Sequence, residues 1–178
     1  MDKESKKIIE YKIKKINILS SILTDLKKSQ KKVIMCHGTF DIVHPGHIRH
    51  LLYAKSKADI LVVSLTSDEH IEKDMMRPFV PEGMRAFNLA ALGIVDYVLI
   101  DKNDTPIENI KILQPDFYAK GYEYGSEKPK PKTQEEIEAL NTYGGQIIFT
   151  PGDIVYSSSK IINLQKPAIF REKMLFLI

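Results

Sequence analysis

The stretch KVIMCHGTFDIVHPGHIRHLLYAKSKADILVVSL, residues 32–65, decides the fold. It begins with a short apolar run, after which Ile48, Leu51, Leu52 and Ala54 recur at helical spacing. It ends in DILVVSL, a continuous β-branched run that is typical of a strand buried on both faces of a parallel sheet. The stretch therefore predicts a strand, a helix and a second strand that runs parallel to the first.

The chain continues this alternation of helices and strands. PEGMRAFNLAALG predicts a helix that ends before Gly93, and DYVLI predicts a strand. TPIENIKIL predicts a helix with Thr105 as its N-cap and Pro106 in the first position, and DFYAKG and QIIFT predict the last two strands. Residues 122–133 are rich in Pro, Gly and Lys and predict a mobile surface loop. The pattern predicts an α/β fold, a Rossmann-like, doubly wound and mostly parallel sheet with an added N-terminal helix.

The N-terminal segment is basic and amphipathic. Residues 1–32 hold ten lysines against four acids, and apolar residues at a spacing of three to four predict one helix over about residues 10–29. We interpret residues 1–30 as a basic helix or arm, residues 31–165 as the main domain and residues 166–178 as a tail. The tail ends in MLFLI, so we expect it to pack on the domain or a partner copy, or to begin a following domain.

The composition limits the class of protein. A chain of 178 residues with 43% hydrophobic content can bury a domain-sized core without disulfides. Its single cysteine, Cys36, excludes an internal disulfide, and no secretory pattern opens the chain, so we expect a cytoplasmic protein. No apolar run approaches the roughly 20 residues of a membrane span. The net charge is +3, but the basic first segment carries +6, which leaves −3 elsewhere. We therefore expect no nucleic-acid binding by the main domain.

His44 and His47 flank a proline and a glycine where the first predicted strand gives way to a helix. A zinc site needs three or four ligands at a recognisable spacing, and because the sequence offers none, we expect no protein-bound metal. A phosphate fits better, since free amides and the positive end of a helix dipole face the same space as the imidazoles. Gly38 and Gly46 let the backbone approach a ligand closely. The alternative is that His44 caps the turn and His47 packs within the helix.

The segment GTFDIVHPGH resembles the signature of the cytidylyltransferase-like nucleotidyltransferases. AKSKADILVVSLTSDEHIEKDMMRPFVPEGMRAFNLAAL, QPDFYAKGYEY and GGQIIFTPGDIVYSSSKIIN are similar, in the same order, to the adenylyltransferase domain of bifunctional heptose-phosphate kinase/adenylyltransferases. The resemblance covers roughly residues 31–163. It implies an enzyme that joins a nucleoside triphosphate to a phosphorylated sugar or polyol and releases pyrophosphate.

The resemblance also implies roles for individual residues. The catalytic groups that it implies are His44, His47, Lys73 and Arg85. The nucleotide-binding residues that it implies are Gly38, Thr39, Phe40, Gly46, Lys120, Gly121, Ser157, Ser158 and Ser159. The acceptor-binding residues that it implies are Asp41, Lys55, Arg77, Glu123 and Tyr124. Phe40 also fits a plain core role and Lys55 an ordinary solvated lysine, while Asp96 is interpreted as structural.

The resemblance also implies a metal ion, substrates and protein partners. Mg²⁺ is expected because a triphosphate concentrates negative charge, and CTP or ATP is the expected donor. The glycerol-phosphate branch of the family has an arginine a few residues before its Ser/Thr-rich motif. The segment PGDIVY, which precedes the serines 157–159, has none, so the resemblance favours a sugar-phosphate acceptor over glycerol phosphate. By resemblance we expect a homodimer and a sugar kinase, fused or separate. Two alternatives stay open: a coenzyme-forming adenylyltransferase and a nucleotide-binding module that has lost turnover.

Overall fold

The computed structural model describes residues 2–71, 77–125 and 130–151. In this part of the chain five strands alternate with six helices. The strands are β1 (Val33–Gly38), β2 (Ile60–Thr66), β3 (Tyr97–Asp101), β4 (Phe117–Gly121) and β5 (Gln146–Thr150). The helices are α1 (Lys3–Lys12), α2 (Ile16–Lys28), α3 (Pro45–Lys55), α4 (Glu82–Ala90), α5 (Ile107–Leu113) and α6 (Pro131–Asn141).

The strands form one sheet in the order β3-β2-β1-β4-β5, and every neighbouring pair is parallel. The chain builds outward from β1 to β3 and then crosses back to place β4 on the other side of β1. The strand order therefore reverses between β1 and β4, where ligands of doubly wound sheets bind at the carboxyl ends of the strands. The prediction of a doubly wound, parallel α/β sheet is confirmed, with all described pairs parallel.

Each face of the sheet is covered by its own helices. On the first face, Leu51 of α3 and Leu89 of α4 pack against alternate strand residues such as Val63. On the second face, Leu19 and Leu23 of α2 join residues of α5 and α6 over the intervening strand residues. We call these the α3 face and the α2 face. Since both are buried, the strands read as continuous apolar runs.

The N-terminal segment differs from the single helix predicted over residues 10–29. It forms α1 and α2, separated by a short extended link in which Ile13 pairs with Val98 and the Lys14 amide donates to the Val98 carbonyl at 2.9 Å. The link lies along β3, an edge strand of the sheet. Edge strands expose unpaired backbone groups, and satisfying them accounts for the break in the helix.

Two further differences concern helix starts. Residues 131–133 were predicted as loop, but Pro131 occupies the first turn of α6, where its missing amide costs no hydrogen bond. The N-cap of α5 is Pro106, with no side-chain cap, so the prediction of Thr105 in that position is wrong. The predicted tail, residues 166–178, lies outside the described residues.

Candidate active site

The turn between β1 and α3 places His44 and His47 at the carboxyl end of β1. His44 is the N-cap of α3, with extended backbone angles, and its Nδ1 accepts a hydrogen bond from the His47 amide at 3.4 Å. Pro45 occupies the first helical position, where a fixed φ angle suits the helix. The capping role that the sequence left open for His44 is therefore present, and it holds one imidazole at the positive end of the helix dipole.

The two imidazoles are stacked. Their ring centroids lie 3.8 Å apart with an interplanar angle of 19°, and the Phe40 ring tilts against His47 at 5.0 Å. Burial lowers the pKa of His44, which favours the neutral ring near pH 7. Because Nδ1 accepts the His47 amide, the neutral ring carries its proton on Nε2 and acts there as a hydrogen-bond donor.

The backbone before the histidines is tightly constrained. Phe40 has a φ angle of +48°, a left-handed conformation that bulky residues rarely adopt, and its side chain is buried. Gly38 lies under that ring, since a Cβ at this position would stand 3.1 Å from the ring. The Phe40 side chain thus has the core role that the sequence allowed.

Asp41 organises a neighbouring loop. Its Oδ1 accepts the amides of Phe79 and Val80 at 2.9 and 3.1 Å, and its Oδ2 accepts the Arg77 guanidinium at 3.1 Å. Asp41 is 3% exposed. The structure brings Asp41 and Arg77 together as a pair that fixes the loop before α4.

Arg85 was predicted as a catalytic group, and the structure places its guanidinium against acceptors of the protein itself. Its side chain is fully buried, and its guanidinium donates to the Val80 carbonyl at 2.8 Å, the Thr39 carbonyl at 2.5 Å and Asp68 at 2.6 Å. Each of the three guanidinium nitrogens thus donates to one acceptor, which uses three of the five N–H donors. Arg85 is therefore a positioning residue that ties the turn at Thr39 to the loop before α4.

Lys55 was predicted to approach the substrate, and the structure places it at the end of α3 opposite to the histidines. It ends α3, about 15 Å along the helix from Pro45 at 1.5 Å per residue. Its ammonium pairs with Asp96 at 2.6 Å, and the same Asp96 oxygen accepts the Leu61 amide at 2.7 Å. Lys55 thus lies at the amino end of β2, away from the histidines, and Asp96 has the structural role that the sequence indicated.

Across the switch in strand order, β4 ends in Lys120 and Gly121. The Lys120 ammonium forms a buried ion pair with Glu136 of α6 and lies 4.5 Å from the centre of the Tyr124 ring. The Tyr118 hydroxyl donates to the other Glu136 oxygen at 3.4 Å. Sequence reasoning missed Glu136, because it missed the helix that carries it.

Another histidine that the sequence reasoning missed joins α3 to the far strands. His50 Nδ1 lies 3.0 Å from the Thr150 hydroxyl, which itself donates to the Lys120 carbonyl at 3.2 Å. Because the hydroxyl proton is used in that bond, His50 Nδ1 must be the donor. Burial lowers the pKa of His50 to about 4, which agrees with a neutral ring. His50 therefore fixes the helix that carries His44 and His47 against the ends of β4 and β5.

The structure gives less information about the other predicted site residues. Gly46 is the second residue of α3, so its amide belongs to the free amino end of the helix. Lys73 and the serines 157–159 lie outside the described residues, as does the side chain of Glu123. Within the described residues no group of three or more His, Cys, Asp or Glu side chains is arranged to hold a metal ion. In the same part of the chain no helix has the length and apolar content to cross a membrane.

Among known proteins, the HldE proteins share much of this sequence. The bifunctional protein HldE of Helicobacter pylori is 44% identical over 132 residues, which cover 70% of this chain and 28% of that protein. The bifunctional protein HldE of Geotalea uraniireducens is 38% identical over 140 residues, which cover 78% of this chain and 28% of that protein. The chain therefore spans about 28% of the length of these curated relatives.

A solved structure shares the fold. The lipopolysaccharide core biosynthesis protein from Thermoplasma volcanium superposes with a TM-score of 0.58 at 24% identity, over 68% of this chain and 97% of that chain. Residues 35–164 also match the sequence model of the Cytidylyltransferase-like protein family. With the paired histidines at the amino end of α3, these matches show that the chain belongs to the cytidylyltransferase-like family and is an enzyme of the nucleotidyltransferase class.

Proposed function

We propose that this chain transfers the nucleoside monophosphate of CTP or ATP to the phosphate of a sugar or polyol and releases pyrophosphate. The observation that carries the proposal is the stacked pair His44 and His47 at the amino end of α3, beside the point where the strand order reverses. Helix amides, the helix dipole and imidazole donors together suit a polyphosphate.

The chemistry needs no covalent enzyme intermediate. An oxygen of the acceptor phosphate attacks the α-phosphorus and forms a new P–O bond, while the bond from the α-phosphorus to the bridging oxygen breaks. The bridging oxygen and its electron pair leave with pyrophosphate. Negative charge grows on the nonbridging oxygens and on the leaving group, so fixed donors at those positions lower the barrier. His44 Nε2–H, His47 and the α3 amides are the donors that we assign to this task.

Magnesium enters the proposal with the triphosphate. Asp41, the carboxylate nearest to the histidines in sequence, already accepts two amides and Arg77. The described residues thus fit a Mg²⁺ ion that is held mainly by substrate phosphates, as is usual for this ion. When bound, the ion neutralises part of the charge on the leaving group. We also propose a cytoplasmic location, where nucleoside triphosphates are supplied, and a homodimer.

The acceptor is proposed to be a sugar or polyol phosphate because the sequence resembles the adenylyltransferase domain of bifunctional heptose-phosphate kinase/adenylyltransferases. The HldE relatives are called bifunctional, and this chain spans about 28% of their length. A sugar kinase, fused or separate, would supply the phosphorylated acceptor. The named class of acceptor and the choice between CTP and ATP belong to this proposal.

Purified protein with Mg²⁺, each of four nucleoside triphosphates and a panel of acceptors tests the proposal. The panel contains heptose 1-phosphate, mannose 1-phosphate, ribitol 5-phosphate, glycerol 3-phosphate and phosphopantetheine, and the readout is pyrophosphate. We expect release with CTP or ATP and a sugar or polyol phosphate, and none with a variant in which His44 and His47 are both alanine. Turnover only with phosphopantetheine, or nucleotide binding without turnover on any acceptor, would refute the proposal.

A further inference from the structure

A row of polar side chains crosses four strands on the α2 face. On this face, four strands each contribute one residue to the core cluster: Leu99, Val62, Met35 and Tyr118. Two residues further along each strand, on the same face, the side chains are polar: Asp101 on β3, Ser64 on β2, His37 on β1 and Lys120 on β4. Thr66, one step beyond Ser64, pairs in register with Asp101. We call these five residues the polar row.

The proton positions along the row are determined by its hydrogen bonds. The Ser64 hydroxyl donates to Asp101 at 3.4 Å, so the His37 Nδ1 at 3.0 Å from the same oxygen must be a donor. The His37 Nε2 is then an acceptor, and the Thr66 hydroxyl at 3.2 Å donates to it. Burial lowers the pKa of His37 to about 4, which agrees with a neutral ring. The Thr66 oxygen has thus committed its proton and offers only lone pairs.

The charge of the row does not suit a phosphate. Asp101 is fully buried and accepts from Ser64 and from the amide and side chain of Asn103. Lys120 is the only cation in the row, and its ammonium is paired with Glu136. Together with Glu136, the row holds two carboxylates against one ammonium. An anion would be repelled here, whereas neutral groups that donate hydrogen bonds would be accepted.

The row has an inner and an outer layer. Ser64 and Asp101 are fully buried, so they fix the outer groups and do not touch a ligand. The side chains of His37 and Lys120 keep 17% and 12% of their exposure, and Thr66 is partly buried. The outer layer lies at the carboxyl ends of β1, β2 and β4, next to the reversal in strand order where ligands of such sheets bind.

We propose that the outer layer of the polar row, which consists of His37, Thr66 and Lys120, faces the hydroxyl groups of the acceptor, with the Thr66 oxygen accepting a hydrogen bond from one of them. The inference rests on the proposed function and adds the part of the site that reads the sugar or polyol. A hydroxyl group suits this surface because it donates to Thr66 and carries no charge. The phosphate of the same acceptor lies at the histidines on the other side of the turn.

Thr66→Val tests the inference because it removes the hydroxyl and keeps the shape and β-branching of the side chain. We expect the KM for the acceptor to rise about 3- to 10-fold, the range for one neutral hydrogen bond, with an unchanged KM for the nucleoside triphosphate. Thr66→Ser restores the hydroxyl and should restore the KM. Thr24→Val, on the exposed side of α2, is the matched control and should change neither value.

Mono-deoxy analogues of mannose 1-phosphate identify the hydroxyl concerned. The analogue that lacks the hydroxyl bonded to Thr66 should bind the wild type and Thr66→Val equally, because neither protein can form that hydrogen bond with it. Turnover with an unchanged acceptor KM in Thr66→Val, or a rise confined to the nucleotide KM, would overturn the inference and leave the proposed function standing. If no acceptor in the panel releases pyrophosphate, calorimetric titration with the same sugar and polyol phosphates decides. Weaker binding to Thr66→Val then supports the inference, and equal or absent binding overturns it.

Discussion

Replacing Arg85 with methionine should destabilise the protein strongly. The substitution removes donors from the Thr39 and Val80 carbonyls and from Asp68. Breaking a buried ion pair costs about 3–5 kcal/mol, but Asp68 is 40% exposed and is rehydrated in the variant, so we expect a loss of about 3 kcal/mol. For a chain of this length that loss lowers Tm by roughly 6–12 °C.

Thermal unfolding followed by circular dichroism measures this loss. Arg85→Lys should fall between the wild type and Arg85→Met, because one ammonium cannot reproduce a planar fork that reaches three acceptors. Lys7→Met, at an exposed lysine on α1, is the control and should change the free energy of unfolding by less than about 0.5 kcal/mol. An unchanged Tm in Arg85→Met, together with a hundredfold loss of kcat, would show that Arg85 touches substrate and would refute its role as a positioning residue.

Further predictions test other parts of the site. His44→Asn keeps a good N-cap, so Tm should stay within about 2 °C while kcat for pyrophosphate release falls roughly 10²-fold; normal turnover would remove His44 from catalysis. The lowered pKa values of His37 and His50, both about 4, mean that the unfolded state binds more protons between pH 6.5 and pH 4. Urea unfolding should therefore show stability falling as the pH drops through this window, by up to about 3 kcal/mol for each histidine, and falling less in a His37→Asn/His50→Asn double variant. Burial raises the pKa of the Cys36 thiol, so Ellman's reagent should label it only after denaturation. Lys55→Met should leave both KM values and kcat unchanged, and a rise in either KM would return Lys55 to the binding site.

The sequence was most informative where several signals in one segment indicated the same secondary structure. The run from β1 through α3 to β2 was predicted within three residues, because strand and helix periodicities indicate the same elements. The same patterns predicted that His44 and His47 lie where β1 gives way to α3, and the structure places them there. Helix α6 was missed since the residues before it are rich in Pro and Lys, although proline at the first helical position favours a helix there.

The structure differs from the expected site where the surroundings of a residue depend on packing that sequence spacing does not determine. Lys55 follows His47 by eight residues, and along a helix that distance is about 12 Å, which carries the ammonium to the opposite end of the sheet. Arg85 has the residue type that phosphate prefers, but each of its three guanidinium nitrogens donates to a carbonyl or carboxylate of the protein. Only the packing around a residue shows whether its donors are used within the protein.

His37 shows why the polar row could not be derived from the sequence alone. Polar residues near the ends of strands are common, and nothing in His37, Ser64 and Asp101 relates them to one another along the chain. Strand order and register bring them into line, because β1 pairs with β2 and β2 with β3. The row exists only once the parallel topology is known.

The two sides of the turn after β1 differ in charge, and this difference orients the proposed substrate. Stacked imidazoles, helix amides and the helix dipole at His44 and His47 attract anions. The polar row and its neighbour Glu136 carry an excess of carboxylate, so they repel anions and accept neutral donors. An acceptor that bears a phosphate at one end and hydroxyls at the other meets both preferences in one orientation only. That orientation directs its phosphate toward the triphosphate, where in-line attack requires it. An acceptor without hydroxyls loses this guidance, and its kcat/KM should fall even though its phosphate is intact.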